Sequence, residues 1–232
     1  MPDIFSNTND GKIDTGNVSG HSAARGASTG TATANESLSS PGIKYFKTSG
    51  RGAATVNIAR SFFFFDTSGV TGTVSSATLD ISFASNVFSG GFNIIIAKSD
   101  AFGGDGGTAL ANADFNNVDF STSYASQTTD HPDDETVTFT LNATALADIK
   151  NNNAFIVALL GFDRDFSDSE PGSDVNETLA ITFSETGGTS TDPKLSYTLQ
   201  TGYSHDIIAV SSANISTVNA VATANIEKII SV

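Results

Sequence analysis

RSFFFFDTSGVTGTVSSATLDISFASNVF, residues 60–88, decides the fold. Four consecutive phenylalanines, Phe62–Phe65, run up to Asp66. A run apolar on both faces suits a strand in mid-sheet that is covered twice. Asp66-Thr67-Ser68-Gly69 then supplies turn chemistry, with a glycine free to take a positive φ. From Val74 the pattern alternates. Val74, Ala77, Leu79, Ile81 and Phe83 share one side, and Thr78, Asp80 and Ser82 share the other. That predicts a half-buried strand with a wet outer face. The two segments are expected as the central hairpin of a β-sandwich.

Working outward, Ile43–Phe46 and Thr55–Ala59 read as strands leading into the phenylalanine run. Downstream, Phe92–Ala97 and Ala154–Gly161 read as buried strands. In Thr136–Leu141 the residues Val137, Phe139 and Leu141 alternate with threonines, as one wet face requires. Leu179–Phe183 and Lys194–Leu199 complete the set. Asn142–Lys150 is the one short helix, capped by Asn142 or Thr144 with Leu146 and Ile149 as its apolar stripe. Gly103-Gly104-Asp105-Gly106-Gly107 lacks the Lys-Ser/Thr of a phosphate loop and reads as a sandwich loop. Residues 108–134 read as a polar excursion. The expected fold is all-β: a jelly-roll-like antiparallel β-sandwich over residues 42–203.

Residues 1–41 are expected as a polar N-terminal arm. Asp3-Ile4-Phe5 and Lys12-Ile13-Asp14 are short strands there, joined by a turn at Asn9-Asp10-Gly11. From Thr15 to Pro41 almost nothing is apolar, which predicts a loop wrapped on the sandwich or an arm ordered by a partner. Residues 204–232 form a C-terminal tail with an eleven-residue repeat. AVSSANISTVN (209–219) is followed by AVATANIEKII (220–230). Two copies are fewer than a free-standing solenoid needs. Val210, Ile215, Val218, Val221, Ile226 and Ile229 are therefore expected to be covered by another copy or another protein, making the tail an assembly element.

The composition narrows the partners. A formal net charge of -14, from 11 Lys+Arg against 25 Asp+Glu, leaves no basic cluster for nucleic acid. No Cys is present, so thiolate metal sites and disulfides are excluded. No stretch approaches the ~20 apolar residues of a membrane span, and MPDIFSNTNDGK has neither a basic nor an apolar leader region. The expectation is a product of the cytoplasm that is neither exported nor anchored.

Asp163, Asp165, Asp168 and Glu170, in FDRDFSDSEPGSD, are the candidate metal ligands. Hard oxygens at alternating positions suit Ca²⁺, although the EF-hand glycine is missing. No other cofactor is implied. Asp130, His131, Asp133, Asp134 and Glu135 form a second acidic cluster. His21, His131 and His205 are scattered, and no G-x-S-x-G elbow occurs, so the chain is expected not to be an enzyme. Sugar rings stack on exposed aromatics. The chain has no Trp, and of its four Tyr only Tyr124 sits in an evident polar loop.

The placed strands resemble DNRLRE-type β-sandwich domains, relatives of carbohydrate-binding modules. Ser61–Asp66 with Ser76-Ala77-Thr78-Leu79 is similar to that family's "FLRFD … SATL" hairpin. Ile94–Lys98, Thr136–Lys150 and Pro193-Lys194-Leu195 follow in family order, so that the resemblance covers about residues 55–200. The family's arginine in the first segment is replaced by Phe64, with Arg60 upstream. The paired tail units are similar to those ending structural and tail-associated proteins of marine tailed phages. The resemblance implies a non-enzymatic virion protein: a fibre, spike or capsid decoration component made in the host cytoplasm. Its partners would be itself, as a homo-oligomer, and other virion proteins. Two alternatives stand beside it, a carbohydrate-binding module recognising a host surface glycan and a non-viral surface filament subunit.

Overall fold

The computed structural model describes residues 2–34, 40–84, 93–129, 134–184 and 190–200, with 217–218 and 221–222 in the tail. Two antiparallel sheets are stacked, as the alternating segments require. The smaller has the order β1 (Asp3–Phe5), β13 (Lys194–Leu199), β7 (Val74–Ser82), β10 (Thr136–Thr140). The larger runs β12 (Val175–Ile181), β5 (Ser40–Thr48), β6 (Thr55–Asp66), β11 (Ala154–Gly161), β8 (Ile94–Ser99), β9 (Val118–Ser123). Three short strands complete it: β2 (Gly11–Asp14) and β3 (Val18–Ser19) pair with β6, and β4 (Thr31–Ala34) pairs with β2.

The phenylalanine run lies where both its faces are covered. β6 is paired on both edges, since Ala59 opposes Asp14 and Lys44, and Ser61 opposes Lys12 and Leu159. Phe63 and Phe65 join the core between the sheets, with Leu79, Ile81, Phe139, Val157 and Leu195. Phe62 and Phe64 face the other way, into a second apolar layer with Ile156, Phe102 and Phe115. That outer layer is roofed by α1 (His21–Arg25), by 3-10 turns at Phe102–Gly104 and Asn112–Asn116, and by a π-helical turn at Phe162–Phe166.

The expected central hairpin is absent. β6 and β7 lie in different sheets, and the chain crosses between them over residues 67–73. The reason is burial. The inner face of β6 needs a cover, and the alternating face of β7 supplies it by stacking opposite rather than alongside. One detail preserves the alternation: Ser76 pairs with Thr198, but Val74 pairs with Leu199, so Ser75 is an extra residue on β7. This bulge lets Val74 and Ala77, three apart, bury on the same side.

The N-terminal segment is part of the sandwich rather than an arm. β1 and β2 belong to different sheets, so Asn9-Asp10-Gly11 carries the chain across the core edge instead of closing a hairpin. Asp10 is fully buried there and accepts from Ser6 Oγ at 2.7 Å and Ser184 N at 3.0 Å. The strands β2 and β4 use small residues to approach closely: a Cβ on Gly11 would meet Thr33 O at 2.1 Å. Such strands contribute backbone hydrogen bonds more than apolar area, which a hydropathy reading does not register. The polar excursion after residue 108 likewise holds β9, an edge strand.

α2 (Ala143–Asn151) forms as expected. Asn142 Oδ1 accepts from Ala145 N at 3.1 Å, and Ala145 and Ile149 bury in the core between the sheets. In the tail, β14 (Thr217–Val218) and β15 (Val221–Ala222) pair antiparallel, with Val218 opposite Val221. The other expected assembly positions, Val210, Ile215, Ile226 and Ile229, lie outside the described residues.

Candidate functional site

The acidic loop after β11 is bound into the fold by the few cations the chain possesses. Asp165 is 2 % exposed and takes Arg60 in a two-pronged ion pair, with Nε to Oδ2 and Nη2 to Oδ1 both at 2.7 Å. Arg60 sits in the outward register of β6 between Ile58 and Phe62, and is itself fully buried. Its remaining donors reach Phe115 O at 2.6 Å and Arg25 O at 2.9 Å, and its guanidinium lies 3.9 Å from the Phe115 ring centroid. A planar guanidinium is suited to that combination of fork and stack.

The other three carboxylates point elsewhere. Asp163 accepts from the backbone N–H and side-chain amide of Asn93, at 2.9 and 3.1 Å. Asp168, held at φ 54, faces His21 Nε2 at 3.0 Å and Arg25 Nε at 3.6 Å. His21 is buried, and its Nδ1 lies 2.7 Å from the Tyr45 hydroxyl, whose pKa is pushed far up by burial. Glu170 pairs with Lys47 at 2.8 Å, and that hydrogen bond holds its carboxyl below its ordinary value. Nearby, burial raises Glu177 despite Arg164 at 3.3 Å.

The four expected metal ligands thus each serve partners of their own. Among the described residues, no three His, Asp or Glu side chains converge as a metal site would need. Of the second cluster, Glu135 O accepts from Phe83 N, while Asp130, His131 and Asp133 lie outside the described residues. Tyr124 is a core residue: it is 2 % exposed, its ring lies 5.0 Å from that of Phe155, and its hydroxyl donates to Asp148 at 2.5 Å.

The Gly-rich loop has a packing reason. Gly106, at φ +77, lies flat on the Phe64 ring, where a Cβ would come within 2.3 Å of Phe64 Cζ. The loop is therefore the lid over the exposed end of the phenylalanine run. Gly106→Ala combines a left-handed backbone with a collision, and is expected to cost ~2–4 kcal/mol in urea unfolding. Gly104→Ala, where a Cβ would meet open space, carries only the backbone cost and serves as the comparison.

Beside this lid lies a concave site that the sequence did not disclose. It has a volume of about 460 Å³. Its polar lining includes Lys98, Asp100 and Asp105 together with Asn151, Asn152 and Asn153. Ala154 and the buried Ile156 supply apolar lining.

No family model and no curated protein matches this chain. No helix among the described residues is long and apolar enough to cross a membrane.

What the site can do follows from its support. Lys98 is held by Asp148 at 3.0 Å, and Asp148 also receives the Tyr124 hydroxyl. Asn152 O and Asn153 O accept from Thr67 Oγ1 at 2.7 Å and Thr67 N at 3.0 Å, which ties that segment to the crossing between the sheets. The site is a fixed, polar recess with neither a nucleophile–base pair nor a cluster of cations.

Proposed function

We propose that the chain is a non-enzymatic structural subunit of a larger particle, and specifically a virion component such as a fibre, spike or capsid decoration protein. One observation carries the reading: among the described residues, the closing strand β13 already has a partner strand on each side. β13 lies between β1 and β7, with both edges filled. The chain leaves β13 with Gln200 N bonded to Thr73 O. The repeat that follows carries an apolar stripe in its sequence, and neither edge of β13 is open to pair with it. Docking on copies of itself or on another virion protein would cover that stripe. Since residues 2–34 are built into the body, the contact role proposed for the two termini falls to the C-terminal tail. The net charge of -14 makes bodies repel, so self-assembly should strengthen as salt is added.

Ending the chain after Gly202 tests this. The truncated protein is expected to melt within ~2–4 °C of the full chain, a shift worth about 1 kcal/mol for a domain of this size. It should be monomeric by light scattering where the full chain assembles. A truncated body that unfolds would show that the tail is core, and one that still assembles would end the proposal. Electron microscopy of the full chain separates the alternatives, because open-ended filaments would favour a surface filament subunit.

A further inference from the structure

We propose that the outer edge of β10 receives the C-terminal repeat of a second copy of this chain, added as a further strand of the smaller sheet. The contact rests on the tail being the assembly element proposed above. β10 ends its sheet, with β7 as its one partner strand among the described residues. Its ladder shows which backbone groups are already used. Phe83 N donates to Glu135 O and Leu141 N to Ala77 O, so the odd-numbered residues bond toward β7. The N–H and C=O groups of Thr136, Thr138 and Thr140 therefore face away from β7, and no strand among the described residues pairs with them. An open edge of that kind is a template for another strand. The other sheet ends are protected. β1, β9 and β12 carry Asp3, Asp119 and Glu177, whereas β10 reads TVTFT, without a charge. β4 is also uncharged, but Asn112 Oδ1 already accepts from its Ala32 N at 2.9 Å.

The tail matches that edge in charge and in pattern. Residues 207–226 carry no charge, in a chain whose net charge is -14, so they can lie beside β10 without opposing like charges. Each repeat also contains the alternation of β10 itself. Ala213-Asn214-Ile215 and Ala224-Asn225-Ile226 set two apolar residues around a polar one, as Val137-Thr138-Phe139 does. On an added strand this turns Ala and Ile to the core side and Asn to the water. The described part of the tail is already extended, since β14 and β15 pair as strands. A groove of about 250 Å³ lies at β10, lined by residues 125–128 and 137–140. It is smaller than the ~300–1,000 Å³ of small-molecule clefts and suits a side chain rather than a free ligand. In strand addition such pockets give specificity and the main chain gives affinity. The length of the link favours a second copy over the same chain. β13 and β10 flank β7, two strand spacings or about 10 Å apart. Residues 201–212, between β13 and the first Ala-Asn-Ile, can span about 40 Å, far more than a return to the same sheet requires.

The experiment is amide hydrogen exchange on the full chain, read residue by residue by NMR at rising protein concentration. As chains associate, the Thr136, Thr138 and Thr140 amides should slow about tenfold or more. Those of Val137 and Phe139, bonded to β7 throughout, should change little. Ile215→Asp with Ile226→Asp puts charge where the added strand needs apolar side chains, and should abolish both the slowing and the association seen by light scattering. Thr138→Pro removes an outward N–H without breaking a bond to β7, and should raise the concentration for half-association about tenfold or more. The truncation after Gly202 tests the assembly reading separately. If it abolishes association but the three amides of the full chain never slow, the tail assembles elsewhere and this site falls. Slowing already complete in dilute monomer would assign the edge to the chain's own tail and overturn the proposal. So would a full chain that never self-associates, or association that survives both Thr138→Pro and the paired Asp variant.

Discussion

Asp165→Ala is expected to destabilise the protein by ~3–5 kcal/mol, lowering Tm by roughly 6–20 °C. The cost comes from what is left behind rather than from the pair itself. Arg60 is fully buried, and without Asp165 its positive charge would face two carbonyls and two aromatic rings with no anion beside it. Removing both charges together should be far milder. Arg60→Met with Asp165→Leu trades the ion pair for apolar packing, an exchange that is often neutral or stabilising. Chemical denaturation of the single and double variants makes the test. If Asp165→Ala cost under about 1 kcal/mol, the pair would behave as a solvated surface contact, and the burial assigned to it would be wrong.

Phe63→Ala should cost a similar ~3–5 kcal/mol, for a different reason. Phe63 is fully buried between the sheets, and its ring stacks on Phe183 at 5.6 Å. Its loss opens a cavity flanked by two paired sheets, which cannot collapse easily. Phe64, its sequence neighbour, faces the outer layer at 9 % exposure beneath Gly106. A loop can settle into a void that a sheet cannot, so Phe64→Ala should cost distinctly less. Equal losses at the two positions would mean that the outer layer is as rigid as the inner one.

The parts of this fold that were legible in sequence are those written in apolar periodicity. The phenylalanine run, the alternation of β7 and β10, the Asn142-capped helix and the closing strand all declare themselves by which residues must be hidden. Strands β3, β4 and β9 do not, because they carry small and polar residues and are held by ladder hydrogen bonds at the sheet margins. The crossing from β6 to β7 was also concealed. A turn sequence says that the chain reverses, but not whether it returns beside itself or over itself.

The acidic loop misled for a related reason. Alternating carboxylates look like a ligand set until their counter-charges are known, and Arg60 lies 105 residues from Asp165. The available signal was the arginine, not the acids. A charge in register with Ile58, Phe62 and Phe64 had to be buried, and a buried guanidinium demands an anion. The recess beside the Gly-rich loop had no linear signal at all. It is assembled from the ends of β8 and α2 and a loop in which Gly106 is explained by Phe64, far upstream.

The pairing of β1 with β13 has a consequence for how the protein is made. Asp3 and its hydroxyl partner Ser196 are 193 residues apart. At ~5–20 residues per second, a ribosome needs roughly 10–40 s to deliver the second strand after the first. During that wait β7 also lacks one neighbour, so the smaller sheet cannot be completed in order of synthesis. The waiting N-terminal segment is polar around Asp3, Ser6 and Asn7, which discourages pairing with other nascent chains. The apolar repeat lies downstream of β13, so it emerges only when β13 is already available to close the body. Translation order thereby puts closure of the smaller sheet within reach before the repeat is exposed.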